Sequence, residues 1–443
     1  VTVLGFKQCR RAGDKGKDMG NRELLTYSRV GAFKQCPRKE WFRYELGLVP
    51  SVDAAALRFG TFWHLLMQAV YRLQQDLSAH QAPPPWEDVA EWLLYGDAPA
   101  WAAAAAKIPD HGIVDTWRGQ QLAERVPSME DPSGSRPAHD ETEVVNMVAL
   151  ATDMLQRYLA RYWDEDLTTW EVLGVEVLLE SPLYTPKQQP STKWRVGGKA
   201  DVLARSRITG KVWVWDHKTH SGDPSSAKED GRIDPQGEGY LAMALEMGLY
   251  VLDELGGVLH RIARKSVPSV PGRNKCTGKK ADGVVADSHA QCALCHGTGE
   301  GPLSAAQCDT TPEVYEAALE QTQADGWQPT EKHLGILHAL RARGTDPWFQ
   351  THTKAISPAD LSFWWSETYT ISLAKNAAQQ RGERGHWRAG DKRTCRLYSR
   401  NCEYMALCEL NAADSRQAWD ENFGLQELYL LRSAHVELDP DAD

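Results

Sequence analysis

Residues 197–219 read Gly197-Gly-Lys-Ala-Asp201-Val-Leu-Ala-Arg-Ser-Arg-Ile-Thr-Gly210-Lys-Val-Trp-Val-Trp-Asp216-His-Lys218-Thr219. Two apolar runs flank the turn-like Arg207-Ile208-Thr209-Gly210, which reads as two antiparallel strands joined by a four-residue loop. A loop of that length pairs residues whose numbers sum to 417. Asp201 then falls opposite Asp216, with Cβ atoms about 5 Å apart on one face. Side chains alternate along a strand, so Asp216 and Lys218 share that face while Trp213, Trp215 and His217 point to the other. Charged residues set among core-type neighbours need partners. Two facing carboxylates repel one another when ionised, and a hard divalent cation such as magnesium or manganese relieves that. A lysine beside them suits phosphate chemistry, where it orients or deprotonates the attacking water and stabilises charge developing during in-line displacement. The bland alternative is a surface hairpin carrying a solvated Asp-Lys pair.

Outward from the hairpin, EVLGVEVLLE (171–180) reads as a preceding strand. YLAMALEMGLYVLDEL (240–255) reads as a following helix and GVLHRIARK (257–265) as a further strand. Upstream, CPRKEWFRYELGL (36–48), LRFGTFWHLLMQAVYRLQQDL (57–77), an Ala- and Trp-rich stretch to about 106 and a segment near 141–163 carry apolar residues at helical spacing. Downstream, WFQTHTKAIS (348–357) reads as a strand among helices. The expected organisation is a flexible leader (1–20), a mainly helical part (21–165), an α/β core with a mixed sheet (166–266), a Cys-rich insertion (267–310) and a helical C-terminal part (311–443).

The chain has 443 residues, 42% of them apolar, and a net charge of −10, which excludes wholesale disorder and argues weakly against coating nucleic acid by bulk charge. Charge is unevenly spread. From Lys375 to Arg400 stand Lys375, Arg381, Arg384, Arg388, Lys392, Arg393, Arg396 and Arg400 against Glu383 and Asp391, with Trp387 interleaved, a pattern suited to single strands. No run approaches the ~18 apolar residues of a membrane span, and the N-terminus shows no hydrophobic signal core, so the expectation is a cytoplasmic protein.

Four motifs occur in order: Gly60-Thr-Phe-Trp-His64, Gly198-Lys-Ala-Asp201, Asp216-His-Lys218 and Gln236-Gly-Glu-Gly-Tyr240. With the order helix, three strands, helix, strand, they resemble the RecB-type branch of the PD-(D/E)XK nuclease superfamily over roughly residues 24–265 plus a C-terminal piece. The resemblance implies that His64, Asp201, Asp216 and the backbone carbonyl of His217 ligate the catalytic Mg2+ or Mn2+. It implies that Lys218 is the catalytic lysine, and that Gln236 and Tyr240 orient DNA or support the site. Ordinary capping, a core tyrosine and a satisfied helix histidine are the plain readings of Gln236, Tyr240 and His64. Glu176, in the strand before Asp201, is a further acidic candidate left unassigned.

Nine cysteines without a secretory signal point to metal or cluster ligation. Within the same superfamily, a branch seen in the AddB helicase-nuclease subunit and CRISPR adaptation nucleases carries one cysteine before the core and three after it. Cys36, in Cys36-Pro-Arg, and Cys395, Cys402 and Cys408 resemble that set, which holds a 4Fe-4S cluster. Here six residues separate Cys395 from Cys402, where the branch usually has two. Four thiolates suit iron-sulfur or zinc and would clip together segments more than 350 residues apart. Cys276, Cys292, Cys295 and Cys308 form a second set. Cys292-Ala-Leu-Cys295 has zinc-knuckle spacing, His289 or His296 can replace a singleton, and a structural zinc would organise the insertion. Cys9 has no assigned role.

The expectation is a DNA nuclease, an exonuclease acting at ends or on single strands in recombination, repair or phage DNA processing. A trimming nuclease of CRISPR adaptation is one alternative. A DNA-binding adaptor with a vestigial site is another. No Gly-x-x-x-x-Gly-Lys-Ser/Thr loop occurs, so unwinding needs a helicase partner, with a recombinase or single-strand-binding protein as further partners.

Overall fold

A computed structural model describes residues 22–52, 55–77, 83–96, 112–127, 135–222, 234–276, 295, 299–306, 308–343, 346–389, 392–397, 400–410 and 414–432. The chain divides into two units, Val1–Ala263 with Thr351–Asp443, and Arg264–Gln350. A six-stranded sheet comprises β1 (Glu23–Thr26), β2 (Trp170–Tyr184), β3 (Pro190–Ser206), β4 (Val212–His220), β5 (Leu255–Arg264) and β6 (Phe349–Ala355). β3, β4, β5 and β6 neighbour one another in that order, β1 pairs with the same edge of β3 as β4, and β2 runs antiparallel along the opposite edge of β3. The fold is mixed α/β, as the sequence implies.

The hairpin has the expected register. Val202 stands opposite Trp215 and Arg205 opposite Val212. The Ser206 N–H donates to the Lys211 carbonyl at 2.8 Å, and Gly210 closes the loop with φ +68°, a left-handed conformation that glycine tolerates for want of a Cβ. Alternation along β4 is visible in the contacts: Trp215 meets Tyr71 edge-on at 5.1 Å, whereas Lys218 reaches Gln236 at 3.2 Å.

The helices that flank the sheet are α1 (Tyr27–Gln35), α2 (Ala55–Leu77), α3 (Glu141–Thr169), α4 (Gln236–Glu246) and α5 (Pro358–Gln379). On α2, Phe59, Phe62, Leu66, Val70 and Leu73 recur every three or four residues and are buried. Side-chain oxygens cap three starts: Thr26 accepts from the Arg29 N–H, Asp140 from Glu143 and Ser357 from Asp360. Leu25, Trp194, Val196, Val214, Leu241, Met243 and Trp364 share one core cluster.

Two expected helices differ. The 240–255 helix stops at Glu246, because Gly248 turns left-handed (φ +74°) and its N–H bonds the Leu245 carbonyl at 3.0 Å. The 36–48 segment breaks into a turn of helix, a π-helical turn (Trp41–Glu45) and a strand, Leu48–Pro50, that pairs antiparallel with Tyr429–Leu431. Gly47 permits that turn with φ +71°, where a Cβ would lie 2.5 Å from the Arg432 carbonyl oxygen.

In the second unit, strands Arg273–Lys275 and Glu300–Leu303 pair antiparallel. Helices Pro312–Ala324 and Glu331–Ala342 close on Tyr315, Leu319, Leu337 and Leu340, with Leu303 in the same cluster. The expected insertion at 267–310 thus shares a unit with helices that the sequence reading placed in the C-terminal part. No helix among the described residues is long and apolar enough to cross a membrane.

A buried charge cluster ties the start of the fold to α5. Arg29 bonds Glu40 at 2.9 Å and Glu45 at 2.7 Å, and Lys375 bonds the same pair at 2.5 and 2.7 Å. Lys375 is 1% exposed, so it does not belong to an exposed basic surface, as its place in the 375–400 run suggests. Burial pushes the Glu45 carboxyl up, but the Lys375 ammonium and the Arg29 guanidinium outweigh it and hold the group at about 2, against an ordinary 4.5. A depressed carboxyl stabilises the fold above its unfolded value and ceases to as pH falls through its folded one. We therefore expect stability to decline between pH 4.5 and about 2, and Glu45→Gln to shallow that decline while lowering the thermal midpoint at neutral pH. Melting curves across pH check both; identical profiles for the two proteins would contradict the assignment.

Candidate active site

On one edge of β3, β1 pairs in parallel as far as Gly197, and β4 takes up pairing at Val202. Between these points the β3 edge changes partner. Asp201 stands at the end of that interval, and its Oδ2 accepts the His217 N–H at 2.8 Å, so a carboxylate satisfies a donor at the point where the ladder stops. Extending the hairpin register by one step sets Asp216 opposite Asp201. On the other edge of β3, Val175 faces Val202 and Val177 faces Ala200, which sets Glu176 beside Asp201. Three carboxylates therefore stand side by side across β2, β3 and β4.

Glu176 has φ +52°, a conformation that costs a non-glycine residue of order 1–3 kcal/mol and collects at functional sites. The Lys199 ammonium holds its carboxylate at 2.7 Å. His64 comes from α2, with Nδ1 3.3 Å from Asp201 Oδ2. Ligand atoms of His64, Glu176 and Asp201 all lie within 4.8 Å of one another.

Both oxygens of Asp216 are engaged: Oδ1 by Lys218 at 2.9 Å and Oδ2 by His260 Nδ1 at 2.9 Å. Lys218 also donates to Gln236 Oε1 at 3.2 Å, and Gln236 Nε2 donates to the Tyr240 hydroxyl at 2.7 Å. Gln236 and Tyr240 are one turn apart on α4, so the two side chains stack along one face. Gly198 makes room for this chain, since a Cβ there would lie 2.5 Å from Tyr240 Cε1.

Electrostatics fix the protonation states. Burial pushes the Asp201 carboxyl up, but His64 and His217 hold it well below the usual range. Burial does the same to Asp216, and Lys218 and His260 reverse it. Lys218 is pushed down by burial and, more strongly, up by Asp216, Asp234 and Asp201, so it is an ammonium at neutral pH. In this arrangement its ammonium bonds Asp216 Oδ1 and Gln236 Oε1. His64 is lowered by burial and raised on balance by Asp201. Burial keeps His217 neutral; its ring packs 5.1 Å from Tyr71, on the face away from Asp216, and its N–H marks the backbone's place beside Asp201.

The family model of the PD-(D/E)XK nuclease superfamily matches residues 24–409. The chain belongs to the PD-(D/E)XK nuclease superfamily. No curated protein matches it. Members of this superfamily are metal-dependent nucleases that hydrolyse phosphodiester bonds with Mg2+ or Mn2+. The residues present fit such a cation. Octahedral bonds of about 2.1 Å put ligand atoms about 3.0 to 4.2 Å apart, and the His64, Glu176 and Asp201 donors gather within 4.8 Å, oxygen-rich and partly open to solvent. Asp216 stands on the adjoining strand. A divalent cation held there supplies Lewis acidity and counter-charge for the scissile phosphate. The Lys218 ammonium, held through Gln236 to Tyr240, would add positive charge beside such a cation.

The cysteines separate into two places. The Cys402 and Cys408 thiols are pushed up by burial, Cys408 to about 11, and each feels Cys36. They pack against Phe42, Leu48, Tyr404 and Leu407. The Cys395 carbonyl accepts the Cys402 N–H at 2.8 Å. In the second unit Cys276 and Cys295 are buried together beside Trp327, while Cys308 packs on the cluster that contains Tyr315. Cys292, His289, His296 and Cys9 lie outside the described residues.

Sequence reasoning left Glu176 unassigned and passed over His260. The register of β2 on β3 carries the signal for Glu176, and it is set by a shift between Val172 and Gly174 that no spacing announces. His260 lay in an apolar strand with nothing to pair it with Asp216. Adding a methyl at Gly198 should displace Tyr240 and, through Gln236, loosen Lys218. We expect Gly198→Ala to cost about 1–3 kcal/mol in urea unfolding and to lower hydrolysis more than it weakens substrate binding. Unchanged unfolding and turnover would show that the contact is slack.

Proposed function

We propose that this protein is a DNA exonuclease acting at ends or on single strands, in recombination, repair or phage DNA processing, in the cytoplasm of a bacterium or a phage-infected cell. The observation that carries the nuclease reading is the meeting of Glu176, Asp201 and Asp216 across three strands, with His64 and the charged Lys218 beside them. For single strands, the support is an exposed approach to the cysteines in which Arg381, Arg384, Trp387 and Arg388 all reach solvent within eight residues of sequence, although Arg388 also donates to the Cys408 carbonyl. A recombinase, single-strand-binding protein or helicase would present the strand, and the chain's own sequence carries no phosphate loop for unwinding.

We further infer that Cys36, Cys395, Cys402 and Cys408 hold a 4Fe-4S cluster and that Cys276, Cys292, Cys295 and Cys308 hold zinc. No three sulfurs of either set lie within 4.8 Å among the described residues. Tetrahedral zinc would bring its thiolates to about 3.8 Å, closer than any three described thiols of either set stand, so each set would have to draw together around its metal. The cluster would sit where the Leu48–Pro50 and Tyr429–Leu431 strands already join the two ends of the fold.

Lys218→Ala should lower hydrolysis roughly 10²–10³-fold. The test is end-labelled linear and circular DNA, single- and double-stranded, with and without Mg2+ or Mn2+. Metal-dependent loss of linear DNA alone supports the exonuclease; cleavage of circles replaces it with an endonuclease, and no cleavage favours the DNA-binding adaptor with a disused site. Anaerobically purified protein should carry iron with broad visible absorbance, lost in Cys402→Ser, and about one zinc, lost in Cys292→Ser with Cys295→Ser. Metal analysis without iron or without zinc refutes the respective assignment.

A further inference from the structure

His260 lies in β5, 4% exposed, and its Nδ1 is 2.9 Å from Asp216 Oδ2. An ionised carboxylate only accepts, so Nδ1 carries the proton and donates. Its Nε2 is buried and has no hydrogen-bond partner among the described residues, so Asp216 is the one polar contact for which the ring is oriented. Burying an imidazole with one nitrogen unsatisfied costs free energy that apolar packing would not.

The neighbouring residue works on the opposite face. Arg261 bonds Asp166 at 2.5 Å and lies 3.7 Å from the Tyr162 ring and 5.4 Å from the Trp215 ring. Asp166 in turn accepts the Tyr71 hydroxyl at 2.9 Å, and Tyr71 bonds Tyr158 at 2.5 Å. Consecutive residues of β5 thus hold consecutive residues of β4, His260 on Asp216 and Arg261 against Trp215.

A carboxylate free to rotate offers either oxygen to a cation. With Oδ2 held by His260, Asp216 has Oδ1 left to offer, the oxygen that Lys218 now bonds. We propose, resting on the nuclease reading above, that His260 is a positioning residue: it holds Asp216 Oδ2, so that Oδ1 is the oxygen Asp216 would offer to a cation gathered by His64, Glu176 and Asp201. Hydrogen bonds to ligating carboxylates commonly set metal affinity by 10–100-fold. Mg2+ demands near-ideal octahedral geometry, so it loses more than Mn2+ when the lock is removed.

The test is calorimetric titration of Mn2+ and of Mg2+ into the full-length protein and into His260→Asn, His260→Gln and His260→Ala, with Asp201→Asn as the blank for ions bound elsewhere. Asparagine places its Nδ2 donor where the imidazole holds Nδ1; glutamine reaches one bond further. The expected result is near-normal binding in His260→Asn, a 10–100-fold loss in His260→Gln and His260→Ala, and a larger loss for Mg2+ than for Mn2+. If His260→Asn and His260→Gln bind alike, whether both tightly or both weakly, the proposal is overturned and the nuclease site stands. If the unaltered protein binds Mn2+ no better than Asp201→Asn, the metal-site reading falls and takes the proposal with it. Thermal melts of the asparagine and glutamine variants, close in volume, separate a folding defect from a lost donor.

Discussion

A β-strand can satisfy its backbone along one edge with a single neighbour, or it can change neighbours part-way and leave an interval to be filled by something else. β3 does the second, with β1 up to Gly197 and β4 from Val202. The interval is where the site is built. Asp201 fills it with a side-chain oxygen in place of a ladder bond, and β2, paired along the far edge with a register shift between Val172 and Gly174, brings Glu176 alongside.

Rigidity around that interval comes from polar groups that are paired rather than merely buried. The Lys218–Gln236–Tyr240 chain is closed against Gly198. Behind the sheet, Arg261, Asp166, Tyr71 and Tyr158 form a connected set. The Arg29–Glu40–Glu45–Lys375 cluster does the same for the join between α1 and α5. Such networks are costly when a member is missing, so each fixes one arrangement at the expense of looser ones. A site that must hold a small hard cation benefits from that intolerance.

Much of this was legible beforehand because it depends on period and on loop length. The hairpin register followed from four loop residues, and the register alone placed Asp201 by Asp216. The positions of Trp215 and His217 opposite to Lys218 followed from alternation. What escaped depends on events that no local pattern encodes. A register shift in β2 aimed Glu176, and the adjacency of β4 and β5 paired His260 with Asp216. Lys375 read as a surface cation because its acidic partners, Glu40 and Glu45, are more than 300 residues away in sequence. The 36–48 segment read as one helix because a glycine that ends it is recognised only from what packs against it.

The pairing of Leu48–Pro50 with Tyr429–Leu431 carries a consequence for how the molecule comes into being. More than 350 residues separate the two strands, so at about 5–20 residues per second a ribosome takes roughly 20–70 s to deliver the second after the first. During that interval Phe42 and Leu48 lack the covering supplied by Tyr404, Leu407 and Tyr429, and Glu40 and Glu45 await Lys375 for most of the same period. The nascent chain therefore emerges with its early segments unfinished, and a ribosome that stalls before residue 404 leaves a product whose N-terminal cluster is exposed to proteases. The N-terminal cluster of the nuclease is therefore completed only once residues 429–431 have been made.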